Sequence, residues 1–173
     1  SSITLVSNNA PGCDAAGAGG KPFCSLTTAL MSASRKQYVK LLPSSTNYPS
    51  VTWSSGDVNI VGPGRDASPS AVLGALNANG GRVVLSDAQV NSTMPMTTAV
   101  MCQGNAELSL YRSIITSPPL QRGINADVDC AVLNIDRSRI KSPGSYAIGV
   151  GAAGVPVLYR IVNTAIVGSG GLG

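Results

Sequence analysis

Apolar and polar positions along this chain follow a long repeat. Val58-Asn-Ile60 returns as Val83-Val-Leu85, as Leu108-Ser-Leu110 and as Leu133-Asn-Ile135, each 25 residues after the last, and again one residue late as Tyr159-Arg-Ile161. The likeness runs on past these triplets. Leu108-Ser-Leu-Tyr-Arg-Ser-Ile-Ile115 aligns with Leu133-Asn-Ile-Asp-Arg-Ser-Arg-Ile140, and Val83 to Val90 and Tyr159 to Ile166 share the template. The template reads apolar, any, apolar, any, polar, small, any, apolar. Alternation of this kind marks a strand with one buried face. The polar fifth position, filled by Asp87, Arg112, Arg137 and Asn163, suits a bend. The small sixth position, filled by Ala88, Ser113, Ser138 and Thr164, lets the chain turn back toward the core.

A strand and its bend use about 8 residues of each repeat, leaving room for two more short strands and their turns. Such a unit predicts one coil of an all-β fold, a right-handed parallel β-helix with rungs of about 25 residues. A leucine-rich repeat of similar period would need its own leucine framework and a helical segment, which the Gly- and Pro-rich stretches between these strands do not offer. Stacked rungs place equivalent side chains in ladders, and each buried Leu, Ile or Val contributes about 1.5–3 kcal/mol.

A solenoid end must be covered, because an open first rung is an edge for unwanted pairing. Ser25 to Lys36 is the best helix pattern in the chain. Leu26, Ala29, Leu30 and Ala33 fall on one face, and Ser25 can serve as the N-cap. We expect this helix over the N-terminal mouth, with Tyr38-Val-Lys-Leu-Leu42 opening the first coil. The domain expected is therefore a single one over 1–173. Residues 1–37 form an N-terminal strand, a disulfide loop and a capping helix, and residues 38–173 form the rungs. The strand so near the chain end predicts continuation beyond 173 in a longer parent.

The four cysteines, Cys13, Cys24, Cys102 and Cys130, show no C-x-x-C spacing, and the chain has no His. That removes the common zinc frameworks. Two disulfides, Cys13–Cys24 and Cys102–Cys130, are expected, and with them an oxidising compartment, secreted or cell-surface.

These features resemble pectin-lyase-like right-handed β-helix proteins. Within that group the N-terminus looks like bacterial secreted and surface proteins whose signature pairs an I-T-V-type strand with C-S-L-R-E-A-I. Here Ser2-Ile-Thr-Leu-Val-Ser7 precedes Phe23-Cys-Ser-Leu-Thr-Thr-Ala-Leu30. The match holds at Cys24-Ser25-Leu26 and Ala29-Leu30, and departs at Thr27-Thr28, where the family has Arg-Glu. The resemblance implies fold and secretion. It does not by itself imply chemistry.

Charge and candidate chemistry narrow the reading. Charged residues make up 12% of the chain, with 12 basic and 8 acidic side chains. Arg35-Lys36 is the one adjacent basic pair, so the dense stripe of a nucleic-acid binder is missing. The long uncharged stretch Ser142 to Tyr159 is broken by four glycines and Pro156, so no membrane insertion is expected. Gly149-Val-Gly151-Ala-Ala-Gly154 matches a dinucleotide fingerprint in form, but a further rung strand follows it where that fingerprint needs a helix.

Hydrolytic members of the resembled group use clustered aspartates, Gly-His-Gly and Arg-x-Lys. Only Arg139-Ile140-Lys141 matches, so no catalytic residue is assigned. Asp127 and Asp129 would project to one side of an extended strand. They suggest Ca²⁺ at most, with too few oxygen ligands to make a site. No other cofactor and no metal site is expected.

The column Asp87, Arg112, Arg137 is the best candidate surface. Beside it lie Tyr111, Asp136, Arg139 and Lys141. Arginine forks suit carboxylated sugars and tyrosine offers a stacking face. The plainer expectation for the same column is an Asp87–Arg112 ion pair between successive rungs. The functional expectation is a non-catalytic extracellular module with a structural, adhesive or glycan-binding role, with a polysaccharide or cell-surface glycan as partner. The alternative is a lyase or hydrolase acting on uronate-type glycans.

Overall fold

The computed structural model describes residues 3–32, 35–94, 97–127, 129–150 and 158–168. Strand β1 (Ile3–Val6) leads through a disulfide loop to helix α1 (Leu26–Met31), then β2 (Tyr38–Leu41) and β3 (Val51–Trp53). Three-strand turns follow: β4 (Asp57–Val61), β5 (Val72–Leu73) and β6 (Leu76–Ala78); β7 (Arg82–Ser86), β8 (Gln89–Asn91) and β9 (Val100–Cys102). Next come β10 (Glu107–Tyr111), β11 (Ile114–Thr116) and β12 (Ile124–Ala126); β13 (Val132–Asp136), β14 (Arg139–Ser142) and β15 (Ile148–Val150); and finally β16 (Leu158–Val162) and β17 (Ala165–Gly168). Each of the four three-strand turns gives one strand to each of three parallel sheets. Sheet A runs β1-β2-β4-β7-β10-β13-β16, sheet B β17-β14-β11-β8-β5 and sheet C β15-β12-β9-β6-β3. The chain is an all-β parallel β-solenoid.

The register is the one the repeat predicts. Val58 pairs with Val83, Val83 with Leu108, Leu108 with Leu133 and Leu133 with Tyr159. Ile60, Leu85, Leu110 and Ile135 form the companion ladder, and all four are buried. In sheet B, Leu73, Val90, Ile115 and Ile140 continue the inward column. These ladders merge into one core cluster, as expected when every strand turns alternate residues to the same interior.

The bend between sheets A and B has a definite mechanism. Asp87, Arg112, Arg137 and Asn163 all take left-handed backbone, with φ of 56°, 45°, 51° and 51°. The next residue does more than fit a small space. Ser113 Oγ donates to Tyr111 O at 2.9 Å, Ser138 Oγ to Asp136 O at 3.0 Å and Thr164 Oγ1 to Val162 O at 2.8 Å. Each hydroxyl thus adds a second bond to the carbonyl two residues back, which also accepts from the backbone N–H of Asp87, Arg112 or Arg137 in the preceding rung.

The N-terminal end differs from expectation in two respects. The helix spans six residues rather than the twelve of Ser25 to Lys36. It ends at Ser32, which has extended backbone, and the Thr and Ser residues in and around this segment are weak helix formers. Ala33 lies outside the described residues. Ser25 is the N-cap, its Oγ accepting from Thr28 N at 3.4 Å, and Leu26, Ala29 and Leu30 are buried in the core as expected. The stack also starts one strand early, because β1 pairs with β2 in register from Ile3↔Tyr38 to Val6↔Leu41.

Tyr48 fills the interior of this first turn. It is 1% exposed, and its hydroxyl donates to Val6 O at 3.0 Å and Leu42 O at 2.8 Å. Burial pushes its phenol up to about 12. Both expected disulfides are present: Cys13–Cys24 closes the N-terminal loop, and Cys102–Cys130 ties neighbouring turns.

Candidate functional site

The site grows from the A–B corner. In the turns beginning at β7, β10, β13 and β16, two residues separate the A strand from the B strand. In the turn beginning at β4 the same corner holds the segment 62–71, while β5 and β6 are separated only by Gly74 and Ala75. The period survives although the layout has shifted.

That longer segment lies over the corner of the following rungs and is tied down by backbone and side-chain bonds. Gly64 N donates to Asp87 O at 3.0 Å, Ala67 N to Gly64 O at 3.2 Å and Gln89 Nε2 to Arg65 O at 2.6 Å. Gly62 permits the approach, since a Cβ there would sit 2.2 Å from Asp87 O.

The result is a depression of about 500 Å³ lined by the Pro63–Ala67 loop together with Asp87, Arg112 and Arg137. Arg112 grips Asp87 as a fork, Nε to Oδ1 at 2.7 Å and Nη2 to Oδ2 at 2.6 Å. The Arg112 side chain keeps 51% of its exposure. The Arg112 hydrogen bond holds the Asp87 carboxyl below its ordinary value, with the charges of Arg112, Lys40 and Arg65 acting the same way. Arg65 reaches across 72 residues of sequence to donate through Nη1 to Arg137 O, and its Nε meets Asp66 at 3.3 Å. Arg137 is 3.9 Å from Asp136, a charge contact too long for a hydrogen bond.

The structure divides the candidate residues over two faces. Arg112 and Arg137 share the depression. Tyr111 and Asp136 end β10 and β13 and pair in register just before the bend, on the outer face of sheet A. Arg139 and Lys141 lie beyond the bend on β14, exposed on either side of buried Ile140, and so belong to the outer face of sheet B. The Asp87–Arg112 pair is as expected, but Arg137 does not extend it. Its nearest carboxylate is Asp136 of its own rung.

Arg65 and Asp66 are functional candidates that the repeat did not reveal, since they stand outside the template. The available signal was the loss of that template after Val61, where Gly62-Pro63-Gly64 replaces the polar-small pair.

The depression can hold an anion. Three guanidinium groups and two carboxylates line it, and Asp136 beside Arg137 and Lys40 near Asp87 add one charge of each sign, leaving one net positive charge. No protein partner engages Arg112 Nη1 or Arg65 Nη2 among the described residues. Planar forks with free donors match carboxylate and sulfate oxygens.

Asp127 and Asp129 lie in the turn between β12 and Cys130. Among the described residues no three His, Cys, Asp or Glu side chains gather as a metal site. Gly149 is on β15 beneath the Arg122 side chain, and Gly151 and Gly154 lie outside the described residues. No described helix is long and apolar enough to cross a membrane. Comparison with protein-family models, with curated proteins and with solved structures finds no match to this chain.

Proposed function

We propose that this chain is a non-catalytic extracellular β-helix module of the pectin-lyase-like kind that holds acidic glycans at its A–B corner. The observation that carries the reading is the backbone under Arg112 and Arg137. Left-handed φ favours Asn, Asp and Gly, and two of the four bends use Asp87 and Asn163. The other two place arginine there, against local preference, and both side chains enter the same depression. A locally unfavourable choice made twice at one site points to a function for the side chain. The partly free donors of Arg65 and Arg112 and the hydrogen-bonded loop supply a prearranged anion site. Two disulfides agree with secretion.

Isothermal titration with oligogalacturonate, beside a neutral oligosaccharide of equal length, tests this. Binding of the acidic sugar alone is expected, weakened about tenfold or more by Arg65→Ala, Arg112→Ala or Arg137→Ala. Absence of binding to every acidic glycan would leave a structural role. New unsaturated uronate ends, lost in Arg112→Ala, would instead establish a lyase.

A further inference from the structure

A second concavity lies at the N-terminal end of sheet A, on its outer face, and differs in chemistry from the arginine cluster. It has a volume of about 880 Å³, within the range of small-molecule sites. Its floor is built by Ile3, Leu5 and Tyr38, outward-facing residues of β1 and β2 that remain 45%, 37% and 46% exposed. Farther along the same outer columns Asn59, Val84 and Ser109 follow Ile3 and Tyr38, while Lys40, Val61, Ser86 and Tyr111 follow Leu5. Polar residues interrupt both columns beyond the first turns, and the side chains that line the groove are those of β1, β2, Lys36 and Val61 together with the N-terminal loop.

Phe23 forms one wall, and it is fixed: its N–H donates to Leu5 O at 2.8 Å and its carbonyl accepts from Ser7 N at 2.9 Å. Gly17 packs against its ring so closely that a Cβ would lie 2.4 Å from it.

Among the described residues three cations, Lys21, Lys36 and Lys40, line this groove, and no carboxylate does. The Lys40 ammonium donates to Gly62 O at 2.7 Å. Lys21 and Lys36 are exposed and make no ion pair among the described residues. Asp14, on which the Lys21 charge acts, is already engaged by the amides of Ala16 and Ala18, both at 2.9 Å. An apolar trough with unmatched ammonium groups at its border complements a ligand with a long apolar body and one anionic head.

We propose that this groove binds a single-chain fatty carboxylate, its chain laid on Ile3, Leu5 and Tyr38 and its head at Lys21 and Lys36.

Titration calorimetry with decanoate below its micelle concentration tests the proposal, using the folded chain and the exposed-site double variant Lys21→Gln/Lys36→Gln. One-to-one binding is expected, weakening about fourfold for each methylene removed toward octanoate and heptanoate. The double variant should weaken binding about tenfold or more with an unchanged melting temperature, and decyltrimethylammonium should not bind. Arg112→Ala should leave decanoate affinity unchanged, which separates this groove from the acidic-glycan site. Failure of decanoate to bind, equal binding of the cationic amphiphile or indifference to the two lysine substitutions would each overturn the proposal.

Discussion

At the residue scale, the bend between sheets A and B shows local preference and side-chain use in conflict. Asp87 and Asn163 suit left-handed backbone, because their short polar side chains tolerate it. Arg112 recovers part of its cost through the fork on Asp87, but an ion pair this exposed is worth at most about 1 kcal/mol. The lowered pKa of Asp87 gives that contribution a direction in pH. It is present above the ordinary carboxylate value and fades as pH falls through the depressed one. Arg137 has no comparable partner. Replacing it with Asn should therefore raise stability by about 0.5–1 kcal/mol, while acidic-glycan binding falls. Urea denaturation and glycan titration on the same sample would show the two moving in opposite directions.

At the element scale, the N-terminal loop guards the edge of sheet A. Strand β1 is the first of its sheet and would otherwise present free amides and carbonyls. Phe23 covers part of that edge through a parallel bridge to Val6, and Lys36 N donates to Thr4 Oγ1 at 2.9 Å. The Cys13–Cys24 bond holds this loop against β1, with Asn9 N donating to Cys24 O and Asp14 N to Pro22 O, both at 2.8 Å. Substituting both cysteines with serine should cost about 2–3 kcal/mol and free the edge for intermolecular pairing. Thermal unfolding combined with light scattering would register the loss of stability and the new aggregation together. Helix α1 also packs against β1, with Leu26, Ala29 and Leu30 buried.

Across the whole molecule, stability is carried by stacked ladders, so each turn depends mainly on its neighbours. Leu110 lies in the middle of sheet A, paired with Leu85 on one side and Ile135 on the other, and is fully buried. Leu110→Ala should cost about 2–5 kcal/mol. Because it breaks a column in mid-stack, unfolding in guanidinium should separate into two steps, one for the turns on each side. Hydrogen exchange would locate the first opening in β10 and its two partners. The Cys102–Cys130 bond, which ties adjacent turns beside this region, limits how far the opening can spread.

The repeat of Val58, Val83, Leu108 and Leu133 by itself determined the strand of sheet A, the rung register and the bends at Asp87, Arg112, Arg137 and Asn163. Parallel stacking converts equal spacing in sequence directly into contact in space, so periodicity alone carries that information. Both disulfides were legible for a related reason, since the absence of His and of C-x-x-C left oxidation as the simplest use of four cysteines. The positive φ of Arg112 was not legible, because arginine gives no signal for left-handed backbone. Nor was the early start of sheet A, since β1 and β2 are separated by a loop and a helix rather than by a repeat interval. The arginine cluster belongs to tertiary structure most of all. Arg65 meets Arg137 from 72 positions away, through a loop that departs from the template. A period predicts neighbours within its own columns; it holds no information about an irregular segment that crosses them.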